Sequence, residues 1–197
     1  RGALAAAAAG ALAAAFLALP HALDPRALRA GRFPEQAADF VAAADLEGRL
    51  FHDINWGGYL GYRRAPAQRV FADGRWILAG EEAMADYPRL YRRAGSPADI
   101  EALYGRYGVE VLVQSTRDVL RLPSPDAGRW RLAWVDPLAA VLIREGPAFA
   151  GNVERLCALY RASPEAAERA VWPVRVKRPD GGPSPTDIAP VLALCAP

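Results

Sequence analysis

Hydrophobic and polar positions divide the chain into three stretches. Residues Gly2–Leu23 carry no formal charge and are mostly apolar, with ten alanines between Ala3 and Ala15 and Leu4, Leu12, Phe16, Leu17 and Leu19 as the bulky members. A run of about 20 such residues is the length at which a helix crosses a bilayer. Alanine contributes little to insertion, so the span needs its leucines or neighbouring helices to hold it. We read residues 1–23 as one transmembrane helix, the end of a longer membrane region, followed by a connector over 24–32. A secretory signal fits less well, because the chain opens on Arg1, no A-x-A site follows, and Pro20 stands where a small residue is wanted. An Ala-rich helix packed on the domain is the other alternative.

From residue 33 to 145 the pattern alternates between periods of about 3.6 and 2. Ala37, Phe40, Val41 and Ala44 predict a helix that begins at Pro34 and stops at Gly48. A short strand, Arg49–Asp53, precedes the turn sequence Asn55-Trp56-Gly57-Gly58 and a helix with Tyr59, Leu60 and Tyr62. A second strand, Arg69–Ala72, ends in Asp73-Gly74-Arg75. Helices are expected over Glu81–Arg93 and Pro97–Tyr107, the second capped by Ser96 with Pro97 in its first turn. Val109–Gln114 is an unbroken apolar run that suits a strand covered on both faces, and Arg117–Leu122 predicts a short helix. Trp130–Val135 and Ala139–Arg144 flank Asp136-Pro137 as a closing antiparallel hairpin. The fold expected is α/β: a mixed, mainly parallel sheet with a C-terminal antiparallel hairpin and flanking helices.

The remainder, 146–197, reads as a loosely packed helical tail. It has helices around Asn152–Tyr160 and from Ser163-Pro164-Glu165, then a Pro/Gly linker over Trp172–Pro185.

Composition narrows the classes. With 52% hydrophobic and 23% charged residues, disorder is not the dominant state. A net charge of +2 argues against a nucleic-acid partner. The positive charge gathers in residues 1–32, with four arginines against one aspartate. Arg26, Arg29 and Arg32 follow the apolar span and, by the positive-inside rule, favour a cytoplasmic domain. Cys157 and Cys195 are too few for a disulfide framework. A bridge between them suits an oxidising compartment, but one cysteine on a helix and one in a tail are expected free.

Phe51–Leu60 (FHDINWGGYL), Val70–Arg75 (VFADGR), Tyr107–Val113 (YGVEVLV) and Trp130–Arg144 (WRLAWVDPLAAVLIR) follow one another in an order that resembles a known family. It is the C-terminal soluble domain after the last membrane helix in bacterial polytopic proteins related to GT-C glycosyltransferases, the mannosyl- and arabinosyltransferase-like group. Its most specific pieces are Trp56–Leu60 and Asp73–Arg75. The resemblance implies an extracytoplasmic domain at the bacterial inner membrane, opposite to the charge argument. Its implied partners are the bilayer, further membrane helices of the same protein, and a sugar or lipid-linked sugar. The family's catalytic acid lies in an early loop between membrane helices, so no catalytic residue carries over to this chain.

The candidate ligand site is the rim formed where the first two strands end. Asp53, Asn55, Trp56, Gly57 and Gly58 follow the first, and Asp73 and Arg75 the second. If those strands are parallel neighbours, two carboxylates, an amide, an indole and a guanidinium converge, a set suited to a polyol, sugar or phosphate. The alternative is turn chemistry: Asp73 and Asn55 capping turns, Arg75 paired with an aspartate, and Trp56 in the core. His21 and His52 are the only histidines, no His/Cys pair has zinc spacing, and no G-x-S-x-G occurs. No metal, cofactor or catalytic constellation is expected. Arg63, Arg64, Arg92 and Arg93 read as a solvated face that can meet anionic headgroups, and Tyr87, Tyr91, Tyr104 and Tyr107 as half-buried packing.

Overall fold

The first helix, α1 (Glu35–Ala43), forms where Ala37, Phe40 and Val41 recur on one face, and those residues are buried. It stops as Asp45 and then Gly48 take left-handed backbone angles, φ 47° and 88°. The computed structural model describes residues 31–75, 80–121, 129–171 and 191–195. The transmembrane helix expected over 1–23, and the connector up to residue 30, lie outside these residues. Among the described residues no helix is long and apolar enough to cross a membrane.

Four strands make one mixed sheet: β1 (Arg49–His52), β2 (Val109–Ser115), β3 (Trp130–Val135) and β4 (Ala139–Arg144), in the spatial order β1-β2-β4-β3. β1 runs parallel to β2, with Leu50 opposite Val111. β4 is antiparallel to both β2 and β3, so the last strand lies inside the sheet rather than at its edge.

The expectation of a mainly parallel sheet needs correction here. The strand read over Arg69–Ala72 contracts to a single parallel bridge, Leu50–Val70, outside β1. Two hydrogen bonds hold it, Leu50 N–H to Arg69 O (2.9 Å) and Phe71 N–H to Leu50 O (2.8 Å). The next carbonyls a parallel ladder would use are taken by side chains. Phe71 O accepts from Arg49 Nη2 at 3.1 Å, and His52 O accepts from the Tyr87 hydroxyl at 3.2 Å.

A 3₁₀ turn (Ile54–Trp56) leads into α2 (Gly57–Arg64). α3 (Glu81–Arg92) and α4 (Pro97–Arg106) connect the Val70 bridge to β2, and Ser96 caps α4 by accepting from Asp99 N–H at 3.2 Å. α5 (Thr116–Arg121) follows β2, and α6 (Ala150–Ala162) and α7 (Pro164–Val171) follow β4. One sheet face packs Phe51, Leu112, Leu142 and Trp130 against Tyr87 and Leu90 of α3 and Ile100, Leu103 and Tyr104 of α4. By the two-residue period Leu50, Val111, Val113, Val141 and Ile143 face the other side, all of them buried. There Phe40 of α1 stacks on Trp134 and Tyr160, with ring centroids 5.7 Å and 6.5 Å apart.

The tail is not loosely packed over its described part. α6 buries Leu156, Cys157 and Tyr160, and its Asn152 clasps the backbone of Glu47, accepting from N–H at 2.9 Å and donating to O at 3.2 Å. Cys157 and Cys195, expected free, form a disulfide with Cα atoms 5.1 Å apart. The turn Val191–Leu194 contacts α6 and α7, which sets Cys195 beside Cys157. The expected solvated arginine face also fails in part. Arg64 and Arg93 are buried, the latter donating to Gln114. A buried ion pair locks the opposite end of the sheet: Arg144 Nη2 lies 3.0 Å from Glu101 Oε2, and Trp130 Nε1 donates to Glu101 Oε1.

Candidate functional site

The Leu50–Val70 bridge does make the two segments parallel neighbours, so the turns that follow them adjoin. Gly57 fixes how closely. A Cβ on it would lie 2.0 Å from Ala72 O, 2.8 Å from Asp73 Cα and 2.8 Å from His52 Cε1, so α2 begins in direct backbone contact with the second turn. Trp56, one residue earlier, is buried. Gly58 is exposed with nothing within 4 Å of such a Cβ.

The polar members of the rim are committed locally. Asp53 Oδ1 accepts from both N–H and Nδ2 of Asn55 at 2.9 Å, which caps the 3₁₀ turn. Its other oxygen lies 3.0 Å from the Tyr91 hydroxyl, which is also 2.5 Å from Asp118 Oδ2. Burial and the neighbouring Asp118 carboxylate raise the Tyr91 phenol well above its ordinary range, so it stays protonated, its single O–H shared between the two carboxylates. Asp73 accepts from Arg75 N–H (2.8 Å), Nε (3.0 Å) and Nη2 (2.5 Å). Those bonds hold its carboxyl below the usual range. Between the two turns His52 is fully buried, its Nδ1 2.7 Å from Asp53 O and its Nε2 without a partner. Burial pushes its pKa down to about 4, so the ring is neutral at pH 7. Turn chemistry therefore accounts for the bonds of Asn55, Asp73 and Arg75 and for one oxygen of Asp53, whose other oxygen meets Tyr91.

Three of the seven predicted residues, Gly58, Asp73 and Arg75, line a groove of about 790 Å³ between α2 and the Arg69–Arg75 segment. Asp53, Asn55, Trp56 and Gly57 are not among its lining residues. The groove adds residues that sequence reasoning missed: Arg49, Tyr62, Gln68, Arg69 and Tyr107. Arg49 donates to the carbonyls of Val70 (3.4 Å) and Phe71 (3.1 Å), and its guanidinium sits 5.2 Å from the Phe71 ring centroid. Burial, then the like charge of Arg69, lowers its pKa. Tyr107 packs edge-on against Phe71 and donates to Asp86 at 2.8 Å. The missed signal was positional. Arg49 and Arg69 each open a predicted strand, and a parallel pairing brings such residues to one end.

Among the described residues no group of three or more His, Cys, Asp or Glu side chains is arranged to hold a metal ion. What the groove offers is cationic and donor-rich, with aromatic edges, which equips it to hold an anion. No protein-family model, curated protein or solved structure matches the chain.

Proposed function

We propose that this chain is the extracytoplasmic lobe of a membrane glycosyltransferase-like protein. It steadies the membrane part or contacts the acceptor and has no turnover of its own. Transfer from a lipid-linked sugar takes place in membrane helices of the same protein, and residues 1–23 are the helix that tethers the lobe. The observation that carries this reading is the Cys157–Cys195 disulfide. Cytosolic thiols are kept reduced, so a bridge between a core helix and the tail supports folding in an oxidising compartment. That outweighs Arg26, Arg29 and Arg32, since the charge rule depends on every loop that flanks the span. The two pieces that carry the resemblance, Trp56–Leu60 and Asp73–Arg75, also meet physically through Gly57.

The test is made on the complete reading frame in its native cells. Thiols are blocked without reductant and then tagged by mass, and membranes are assayed for transfer from a polyprenyl-linked sugar. We expect both cysteines to resist tagging until reduction, and transfer by the whole protein but none by residues 1–197 alone. Cysteines that tag freely in intact cells, or turnover by residues 1–197 alone, would overturn the reading.

A further inference from the structure

We propose that the groove between α2 and the Arg69–Arg75 segment is a binding site for a phosphoryl group carried on a sugar or on a lipid. The inference goes beyond the membrane reading and uses neither the compartment nor the tether. Four observations converge on it.

The groove, about 790 Å³, falls within the range of sites that take small organic ligands. Its charges are unbalanced. Arg49, Arg69 and Arg75 line it against a single carboxylate, Asp73, which Arg75 already occupies through three hydrogen bonds. Arg69 is exposed and has no ion-pair partner among the described residues. Arg49 is held from behind by two backbone carbonyls, so its guanidinium stands in place before any ligand arrives.

The third observation is an orphaned donor in the wall. Gln68 is only 5% exposed, and its Nε2 has no hydrogen-bond partner. The amide is oriented by its other end, since Oε1 accepts from Arg64 Nε at 3.3 Å, and a flip would set two donors against each other. A buried N–H group left unmade is costly, and a shift of the wall that admits an oxygen-rich ligand to Nε2 would satisfy it. The fourth is Tyr62, 85% exposed on the groove's lip, which offers an aromatic face to a sugar ring or an acyl chain. Arginine forks and an amide donor match the oxygens of a phosphate ester. Because the one carboxylate is already bonded, a neutral polyol finds few acceptors here.

The experiment titrates the full chain in detergent micelles, by calorimetry, with four probes: inorganic phosphate, glucose 1-phosphate, farnesyl phosphate and glucose. The variants are Arg69→Gln and Arg69→Glu, which remove or reverse a charge that makes no bond in the fold, and Gln68→Leu. Melting temperature is the folding control. We expect phosphorylated probes to bind and glucose not to bind. Affinity should fall about tenfold in Arg69→Gln and Gln68→Leu, and be lost in Arg69→Glu, each at unchanged melting temperature for the Arg69 variants. Farnesyl phosphate binding tighter than glucose 1-phosphate assigns the lipid source, the reverse assigns the soluble sugar, and equality confines recognition to the phosphoryl group. Absence of binding by a folded chain, or equal binding by wild type and Arg69→Glu, overturns the proposal. Neither result touches the disulfide or the transfer assay, so this site and the membrane reading fail separately.

Discussion

Adjacent glycines with opposite responses to one substitution make the sharpest test of how the rim is built. Gly57→Ala adds a methyl group that would stand 2.0 Å from Ala72 O and 2.8 Å from both Asp73 Cα and His52 Cε1. Comfortable separations begin near 3.5 Å, so relief requires the 72–73 backbone to move by about 1.5 Å. That backbone is pinned by the Phe71–Leu50 hydrogen bond and the Asp73–Arg75 turn. Overpacking against fixed backbone costs at the upper end of its usual range, about 3 kcal/mol. Gly58→Ala meets nothing within 4 Å and lies in the first turn of α2, so it collects only the gain in helix propensity, about 0.5 kcal/mol. For a chain of 197 residues each kcal/mol moves Tm by about 2–4 °C. The expected shifts are a fall of about 6–12 °C for Gly57→Ala and a rise of about 1–2 °C for Gly58→Ala, read by thermal unfolding with the disulfide intact and checked by urea midpoints at constant m. If Gly57→Ala unfolds within 1 °C of wild type, or both variants fall together, the close approach of α2 to the second turn is not what positions the rim.

Three further outcomes follow from the same structure. Glu101→Ala strips the buried Arg144 guanidinium of its carboxylate and Trp130 of its acceptor, and should cost about 3–5 kcal/mol in urea unfolding, while a Glu101→Met/Arg144→Met double variant recovers most of the loss; equal losses in both refute the desolvated-charge account. Reducing the Cys157–Cys195 bridge frees a chain with a sequence separation of 38, which in the chain-entropy model removes about 4 kcal/mol, so dithiothreitol should lower Tm by roughly 8–16 °C, and an unchanged melting curve would contradict it. His52 has its folded pKa at about 4, below its ordinary 6.5, so the unfolded chain binds the extra proton between those values. Its contribution is full above pH 6.5 and lost as pH falls toward 4, on the order of 3 kcal/mol; wild type minus His52→Gln stability, followed from pH 7 to 4.5, should shrink accordingly, and a pH-independent difference would count against it.

What could be seen in the sequence was whatever a local pattern decides. The cap at Ser96, the apolar run of β2 and the hairpin around Asp136 appear within a residue or two of where their periods and turn residues placed them, and the helix of Phe40 and Val41 starts where expected but ends at Ala43, short of the Gly48 stop. Turn chemistry was equally local: Asp53 bonds Asn55 and Asp73 bonds Arg75, two residues on in each case. The errors came from competition between distant groups. Arg69–Ala72 has the composition of a strand, yet its ladder ends after one bridge. Arg49 and Tyr87 occupy Phe71 O and His52 O, and no local pattern around the segment itself announces either. The disulfide was hidden for the same reason, since it needs the Val191–Leu194 turn to pack on α6, from which it is distant in sequence.

The candidate site shows where that limit bears on function. Reading outward from strand ends picked the aspartates, because Asp, Asn and Gly are what turns require. The groove instead uses the residues that open those strands, Arg49 and Arg69, and an amide on the turn before the second, Gln68. A parallel bridge one residue long suffices to bring Arg49 and Arg69 together, and no turn or cap uses the Arg69 side chain. Backbone geometry thus explains the conspicuous polar residues of the rim and the hold on Arg49, and leaves an exposed arginine, Arg69, and a buried amide nitrogen, Gln68 Nε2, to be accounted for. The anionic ligand proposed for the groove would answer both, which is why the chemistry of this chain is better sought there than among the carboxylates that first draw the eye.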